Sequence, residues 1–268
     1  MPTRDMSTWE TAICKVASKG GREEIVVRGQ RLTDLIGTAS FAEMMFLLLQ
    51  GRLPTPAEAR TLDALLVASI EHGIAPPAMI SRCFASYGTS IQAAIGAGVT
   101  AFGDRMGGLG EQLAELLVRR LAPHLAAGPP DDATLAEVAR GIVADTHAAG
   151  CRVPGFGIPL HATDPRALAV LDVARRHGTY GVHCRLGVAL EHALAQSRGG
   201  RTVPMNIDGV SAVVALDLGF DWRTTRVFLI TPRTVSSAAH YLEEQSQDST
   251  WRHPNPGTVT YTGRMPGD

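Results

Sequence analysis

The sequence predicts an all-α protein, and three observations carry that prediction. Apolar residues recur at helical spacing in one segment after another. Helix-opening and helix-closing residues bracket those segments, while strand-forming runs are few. Aromatic residues make up only 5% and alanine is abundant, which suits helices packed at short range.

Taken in order, Glu24 to Val27 is expected as a short hairpin arm with Gln30 to Leu32. Ser40-Phe41-Ala42-Glu43 has the form of a capping box, and Gly51 stands where a C-terminal cap belongs. Thr55-Pro56-Ala57-Glu58 repeats the device with proline at the first helical position. Leu62, Leu65, Leu66 and Ile70 follow at helical spacing. Leu109, Leu113, Leu116, Leu117 and Leu121 mark another helix. Leu135, Val138, Ile142 and Val143 mark the next, opened by Asp131 and Asp132. Asp164-Pro165 caps a segment ending near His177, and helical patterns continue through 181–197, 208–218 and 234–245. Val259 to Tyr261 reads as a small piece of strand.

The chain has 268 residues, enough for one large domain or a large and a small one. Gly128-Pro129-Pro130 is the best linker candidate, with a second break around Gly150 to Pro159. Apolar residues at 45% and charged residues at 19% describe a globular chain rather than a disordered one. With 25 basic and 26 acidic residues the net charge is −1, which argues against a nucleic-acid partner. No apolar run approaches the roughly 18 residues that span a bilayer; the densest, Phe41 to Leu49, is interrupted by Glu43. The first residues lack the apolar core of a signal peptide. Cys14, Cys83, Cys151 and Cys184 show no CxxC spacing, so they read as reduced thiols of a cytoplasmic protein, with no metal site.

Several short motifs could carry chemistry. Gly155-Phe156-Gly157 would let backbone approach a ligand closely. Arg166, opening a helix, is either a surface arginine or a fork for a carboxylate. Asp208, in Asn206-Ile207-Asp208-Gly209, is either a helix cap or a general base. His72, in Glu71-His72-Gly73, either offsets the negative end of a helix or donates to a substrate oxygen. Gly103 to Gly108 is a glycine-bounded turn able to turn N–H groups toward an anion. No Walker loop, dinucleotide fingerprint, GxSxG or HExxH is present. His147 and Cys151 lack the third partner of a nucleophilic or metal site.

Together and in order, these segments resemble the citrate synthase superfamily, and within it the citryl-CoA lyase module of ATP citrate lyase. The resemblance starts at Trp9-Glu10-Thr11-Ala12-Ile13 and passes through LLLQGRLP at 47–54, Glu71-His72-Gly73, GDRMGG at 103–108, GFG at 155–157 and DPR at 164–166. It continues through Asn206 to Gly209, Pro232-Arg233-Thr234, His240-Tyr241-Leu242 and Arg252-His253-Pro254, and ends at Tyr261. It implies one citrate synthase-like unit over 1–268, with residues 1–150 and 220–268 as a large domain and 151–219 as a small one. It also implies a homodimer acting on small molecules, with a coenzyme A thioester as substrate, neither nucleic acid nor membrane as a partner, and no metal.

The activity implied is the making or breaking of the carbon–carbon bond between an acetyl-CoA unit and an α-keto acid such as oxaloacetate. By the resemblance, Asp208 exchanges the α-proton of the thioester. His72, Arg166 and Arg233 hold carboxylates, and Arg252 reaches the partner subunit's site. Arg198, Arg201, Gly155 and Gly157 bind coenzyme A, the two arginines lying against its phosphates. Two positions depart from the pattern. Met106 stands where citrate synthases carry a histidine, which points to the lyase branch. Ile158 stands where both branches place a histidine after GFG, and His161 is the nearest substitute. The alternative is a catalytically impaired homologue that binds a CoA ester or a dicarboxylate.

Overall fold

The computed structural model describes residues 7–19, 22–157, 164–247 and 251–267. The chain divides into two compact units. Unit 1 comprises Met1–Ser69 and Asp104–Leu229, and unit 2 comprises Ile70–Gly103 and Ile230–Asp268. Residues 151–219, expected as a separate small domain, fall within unit 1.

Unit 1 opens with a three-stranded antiparallel sheet, β1 (Cys14–Lys19), β2 (Arg22–Val27) and β3 (Gln30–Arg31), in the order β1-β2-β3. Arg28 and Gly29 form the β2–β3 turn with φ of 48° and 82°, the mirror-image turn that matches strand twist. The β2–β3 hairpin follows the expectation except that Leu32 begins the helix α1 (Leu32–Leu35). Strand β1 goes beyond the expected hairpin; it pairs along the whole of β2, from Cys14 opposite Val27 to Lys19 opposite Arg22.

The local capping chemistry then sets the helices. In α2 (Phe41–Gln50) the Glu43 N–H donates to Ser40 Oγ at 3.2 Å and the Ser40 N–H to Glu43 Oε2 at 2.6 Å. Gly51 ends it in the left-handed region, φ 78°. Helix α3 (Pro56–Ser69) opens on the same exchange between Thr55 and Glu58, at 2.7 and 3.3 Å. Leu62, Leu65 and Leu66 are buried, whereas Ile70 lies beyond the helix and is exposed.

Unit 2 supplies α4 (Pro76–Ser86) and α5 (Ile91–Thr100), neither anticipated from the sequence. Back in unit 1 come α6 (Leu109–Leu125), α7 (Asp132–Ala148), α8 (Pro165–Arg176), α9 (Val182–Ser197) and α10 (Ile207–Asp217). Gly128-Pro129-Pro130 is a turn between α6 and α7 rather than a domain linker, since Leu121 and Leu135 share one core. Helix α10 is the axis of that core. Val210 to Leu216 are buried throughout, and α10 packs against α3, α6, α8 and α9. Its last residue, Asp217, caps α9 by accepting from the N–H groups of Gly181, His183 and Cys184 at 2.8–2.9 Å.

Helix α11 (Val227–Ser246) begins at the end of unit 1 and runs through unit 2. The apolar cluster of unit 2 is small: Ala85, Ala94 and Tyr241, with Phe84 against it. Beyond α11, Val259 to Tyr261 is not a strand; it is exposed chain following a 3-10 turn at Pro256–Thr258. Among the described residues no helix is long and apolar enough to cross a membrane.

Candidate active site

In unit 1, the 155–157 loop is stitched to the segment that leads into α10. Phe156 and Met205 form an isolated antiparallel bridge. The Asn206 N–H donates to the Gly155 carbonyl at 3.0 Å, and the Gly157 N–H to the Pro204 carbonyl at 2.8 Å. The glycines serve this approach: a Cβ on Gly155, which has φ 78°, would stand 2.7 Å from Gly209 Cα. Asn206, not Asp208, caps α10. Its Oδ1 accepts from the Gly209 N–H at 3.1 Å and its Nδ2 donates to the Gly157 carbonyl at 2.9 Å. Asp208 is the second residue of the helix and half-buried, close to the positive end that favours a carboxylate.

Asp164 ties the same helix start to Arg166. Its carboxylate is 2% exposed and accepts four N–H donors. Three belong to Arg166: the backbone N at 3.1 Å, Nε at 2.9 Å and Nη2 at 2.8 Å. The fourth is the backbone N–H of Ile207, at 3.1 Å. Burial pushes the Asp164 carboxyl upward, but the hydrogen bonds and charge of Arg166, with the Ile207 amide, outweigh it and hold it below the ordinary carboxylate range. The third guanidinium nitrogen of Arg166, Nη1, is buried and has no hydrogen-bond partner among the described residues. A buried donor without a partner carries a free-energy cost.

In unit 2, His72 lies three residues beyond α3 rather than on its last turn, and is half-buried. Its backbone N–H donates to Glu71 Oε1 at 2.8 Å. Glu71 Oε2 accepts from Ser236 Oγ and lies 3.4 Å from His240 Nε2. Arg233 is 6% exposed on α11. Arg252, expected to reach a partner's site, forks onto Glu244 of its own chain, with Nε and Nη2 at 2.6 and 2.8 Å. Glu244 also takes Arg82 Nε at 2.7 Å, so this fully buried carboxylate sits between two guanidinium groups.

The structure thus places Gly155, Gly157, Asp208 and Arg166 in unit 1, and His72, Arg233 and Arg252 in unit 2. Arg198 closes α9 and Arg201 follows it; both are exposed. Ala195 and Thr202, on either side of them in sequence, line a cavity of about 390 Å³ between α8, α9 and the 202–205 segment. His161 and Ile158 lie outside the described residues. The turn carrying Met106 is braced by Arg226 Nη2 on Asp104 Oδ1 at 2.9 Å. The sequence reading missed Asn206 as the cap, Asp164 as an anchor, and the group Glu71, Arg82, Ser236, His240 and Glu244. The DPR triplet and the 233/236/240 spacing on α11 were the available signals.

The model of the citrate synthase C-terminal domain matches residues 3–62 and 54–254. Among solved structures, the chain is similar to citryl-CoA lyase from Hydrogenobacter thermophilus, at 32% identity and a TM-score of 0.82, over 97% of this chain and 96% of that one. It is also similar to ATP citrate lyase from Methanothrix soehngenii in complex with citrate and coenzyme A (17% identity, TM-score 0.77, 99% of this chain, 43% of that one). Citrate synthase from Thermotoga maritima shares the fold at 18% identity and a TM-score of 0.61, covering 97% of this chain and 94% of that one. No match is found among curated proteins. By the extent of the matched domain, and by its likeness in sequence and fold to citryl-CoA lyase, the chain belongs to the citrate synthase family.

Proposed function

We propose that the chain is a CoA-dependent carbon–carbon lyase or synthase. It cleaves a citryl-CoA-like thioester to acetyl-CoA and an oxaloacetate-like α-keto acid, or runs the reverse. The observation that carries this reading is in unit 1. A half-buried carboxylate, Asp208, heads α10, and the same helix start is bonded to an Asp164–Arg166 pair in which one guanidinium nitrogen has no hydrogen-bond partner among the described residues. The likeness to a citryl-CoA lyase over nearly the full length of both chains supports it.

In cleavage, the tertiary hydroxyl loses its proton, the carbon–carbon bond breaks, and its electron pair passes to the thioester enolate. Asp208 supplies the proton that converts that enolate carbon to acetyl-CoA, and removes it in the reverse direction. Arg166 and Arg233, with Arg252 reaching the partner subunit's site, hold carboxylates, to which guanidinium forks are matched. His72 donates to a substrate oxygen. His161 is the candidate for the hydroxyl, since Ile158 neither donates nor accepts. Arg198 and Arg201 face the phosphates of coenzyme A; the adjoining cavity is of a size typical of small-molecule sites.

Homodimerisation is part of the proposal. It rests on the family resemblance, and a stable, folded monomer in sedimentation would contradict it. Four free cysteines support a reducing compartment, the cytoplasm. Met106 and Ile158 favour the second reading, a homologue that binds a CoA ester or dicarboxylate without turning it over. The deciding experiment is citryl-CoA cleavage, with any oxaloacetate coupled to malate dehydrogenase and Asp208→Asn as control. Turnover that falls by at least roughly a hundredfold in the variant supports the lyase reading. Tight binding without turnover supports the second.

A further inference from the structure

The interior of unit 2 contains a polar seam that the proposed chemistry does not use. Ser236, His240 and Glu244 occupy one face of α11, at i, i+4 and i+8, and Arg233 precedes them by three. Opposite stand Arg82 of α4 and Glu71 of the turn after α3. Arg82 is 5% exposed and held by three partners: its Nε meets Glu244 Oε2 at 2.7 Å, its Nη2 donates to Gln247 Oε1 at 2.7 Å, and its Nη1 meets Glu243 Oε2.

The same Nη1 lies 3.3 Å from His240 Nδ1. A guanidinium has donors only, so Nδ1 accepts and carries no proton. The imidazole proton is therefore on Nε2, the nitrogen that faces Glu71 Oε2 at 3.4 Å. Glu71 in turn accepts the Ser236 hydroxyl on that oxygen and the His72 backbone N–H on the other. The contacts thus run from a buried arginine through His240 and Glu71 to the backbone of His72, the His240–Glu71 step being a 3.4 Å approach.

We propose that His240, held by Arg82 as the neutral Nε2–H tautomer, is a positioning residue that sets His72 through Glu71. The proposal rests on the reading of His72 as a substrate-binding group. The line also explains the composition of the α11 face. One helix carries Arg233 and reaches His72 at one remove, so two of the three substrate-binding candidates of unit 2 share a reference.

The test uses the intact protein and two readouts. The first is nitrogen NMR of the imidazole rings. His240 should be neutral with Nδ1 unprotonated, and the His72 resonances should move in His240→Phe and Glu71→Gln. They should return toward the wild-type position in His240→Gln, which keeps a donor toward Glu71. The second is kinetic. His240→Phe should lose about tenfold in kcat/KM, carried by KM, with most of it recovered in the Gln variant. A protonated Nδ1 on His240, or His72 resonances unmoved in all three folded variants, would overturn the proposal. So would Phe and Gln variants that lose activity in step with thermal stability. The resonances are readable whether or not citryl-CoA is turned over, so failure of the lyase reading and failure of the positioning line are separate results.

Discussion

Replacing Asp164 with asparagine tests the strut beneath the unit 1 site. The carboxylate accepts four bonds in a buried position, and two of them come from the side chain of a positively charged partner. The amide of the variant would keep one acceptor oxygen and turn an NH₂ group toward the remaining donors. Breaking one side of a buried pair costs roughly 3–5 kcal/mol. The Arg166 side chain is 20% exposed, so water recovers part of that, and about 3 kcal/mol is the working figure. At about 2–4 °C per kcal/mol for a chain of this size, Asp164→Asn should lower Tm by about 6–12 °C at pH 7.

The pH dependence gives the sign. The folded Asp164 carboxyl lies below its ordinary value. Its contribution is thus present above the unfolded pKa, about 3.9, and is lost as pH falls through the folded value. Differential scanning calorimetry of both proteins from pH 7 to pH 3 should show the Tm gap closing below about pH 4. A gap under about 2 °C at pH 7, or one that widens on acidification, would refute the assignment of Asp164 as a charged strut.

Two further substitutions separate backbone fit from local capping. Gly209→Ala would bring a Cβ inside contact distance of the Gly155 carbonyl oxygen and 3.2 Å from its carbon, both backbone atoms. Its cost should reach or exceed the roughly 1–3 kcal/mol of ordinary overpacking, read as a fall in Tm together with a fall in the proposed citryl-CoA cleavage. Ser40→Ala removes one arm of the α2 capping box. It should cost about 1 kcal/mol in a denaturant titration and leave citryl-CoA cleavage unchanged.

Local rules were legible in the sequence where they act within one turn. The Ser40/Glu43 and Thr55/Glu58 exchanges, the Asp131 and Asp164 caps and the Gly51 stop all stand as their residue types require. Helices α4 and α5 were not legible, for a non-local reason. The first opens on Pro76-Pro77 without a side-chain cap. The second carries Gly96 and Gly98, and a Cβ on Gly98 would crowd Ser81 Oγ and meet Ser237 Oγ at 2.9 Å. That contact joins residues distant in sequence, so no window could contain it. The candidate site follows the same division. Asp208 and Arg166 were found through motif resemblance, while Asp164, Glu71 and His240 act by pairing with groups elsewhere in the chain. The cap on α10 went to Asn206 because Asp208 is one turn position too late to reach the Gly209 amide from outside the helix.

The two units are held by different forces, and the chain inherits two kinds of fragility. Unit 1 rests on a broad apolar core, which tolerates changes of ionic strength and small errors of angle. Unit 2 encloses few apolar side chains and closes on the salt links of Arg82 and Glu244, which demand exact partners. A lost charge in unit 2 has no neighbouring bulk to absorb it. Damage there would slacken the turn of His72 and the face of Arg233 while α10 and Asp208 stayed in place. Such a molecule would pass every gross test of folding and still be chemically incompetent. For this chain, helical content is therefore a poor proxy for a working site, and inactive variants that look native should concentrate between residues 70–103 and 230–268.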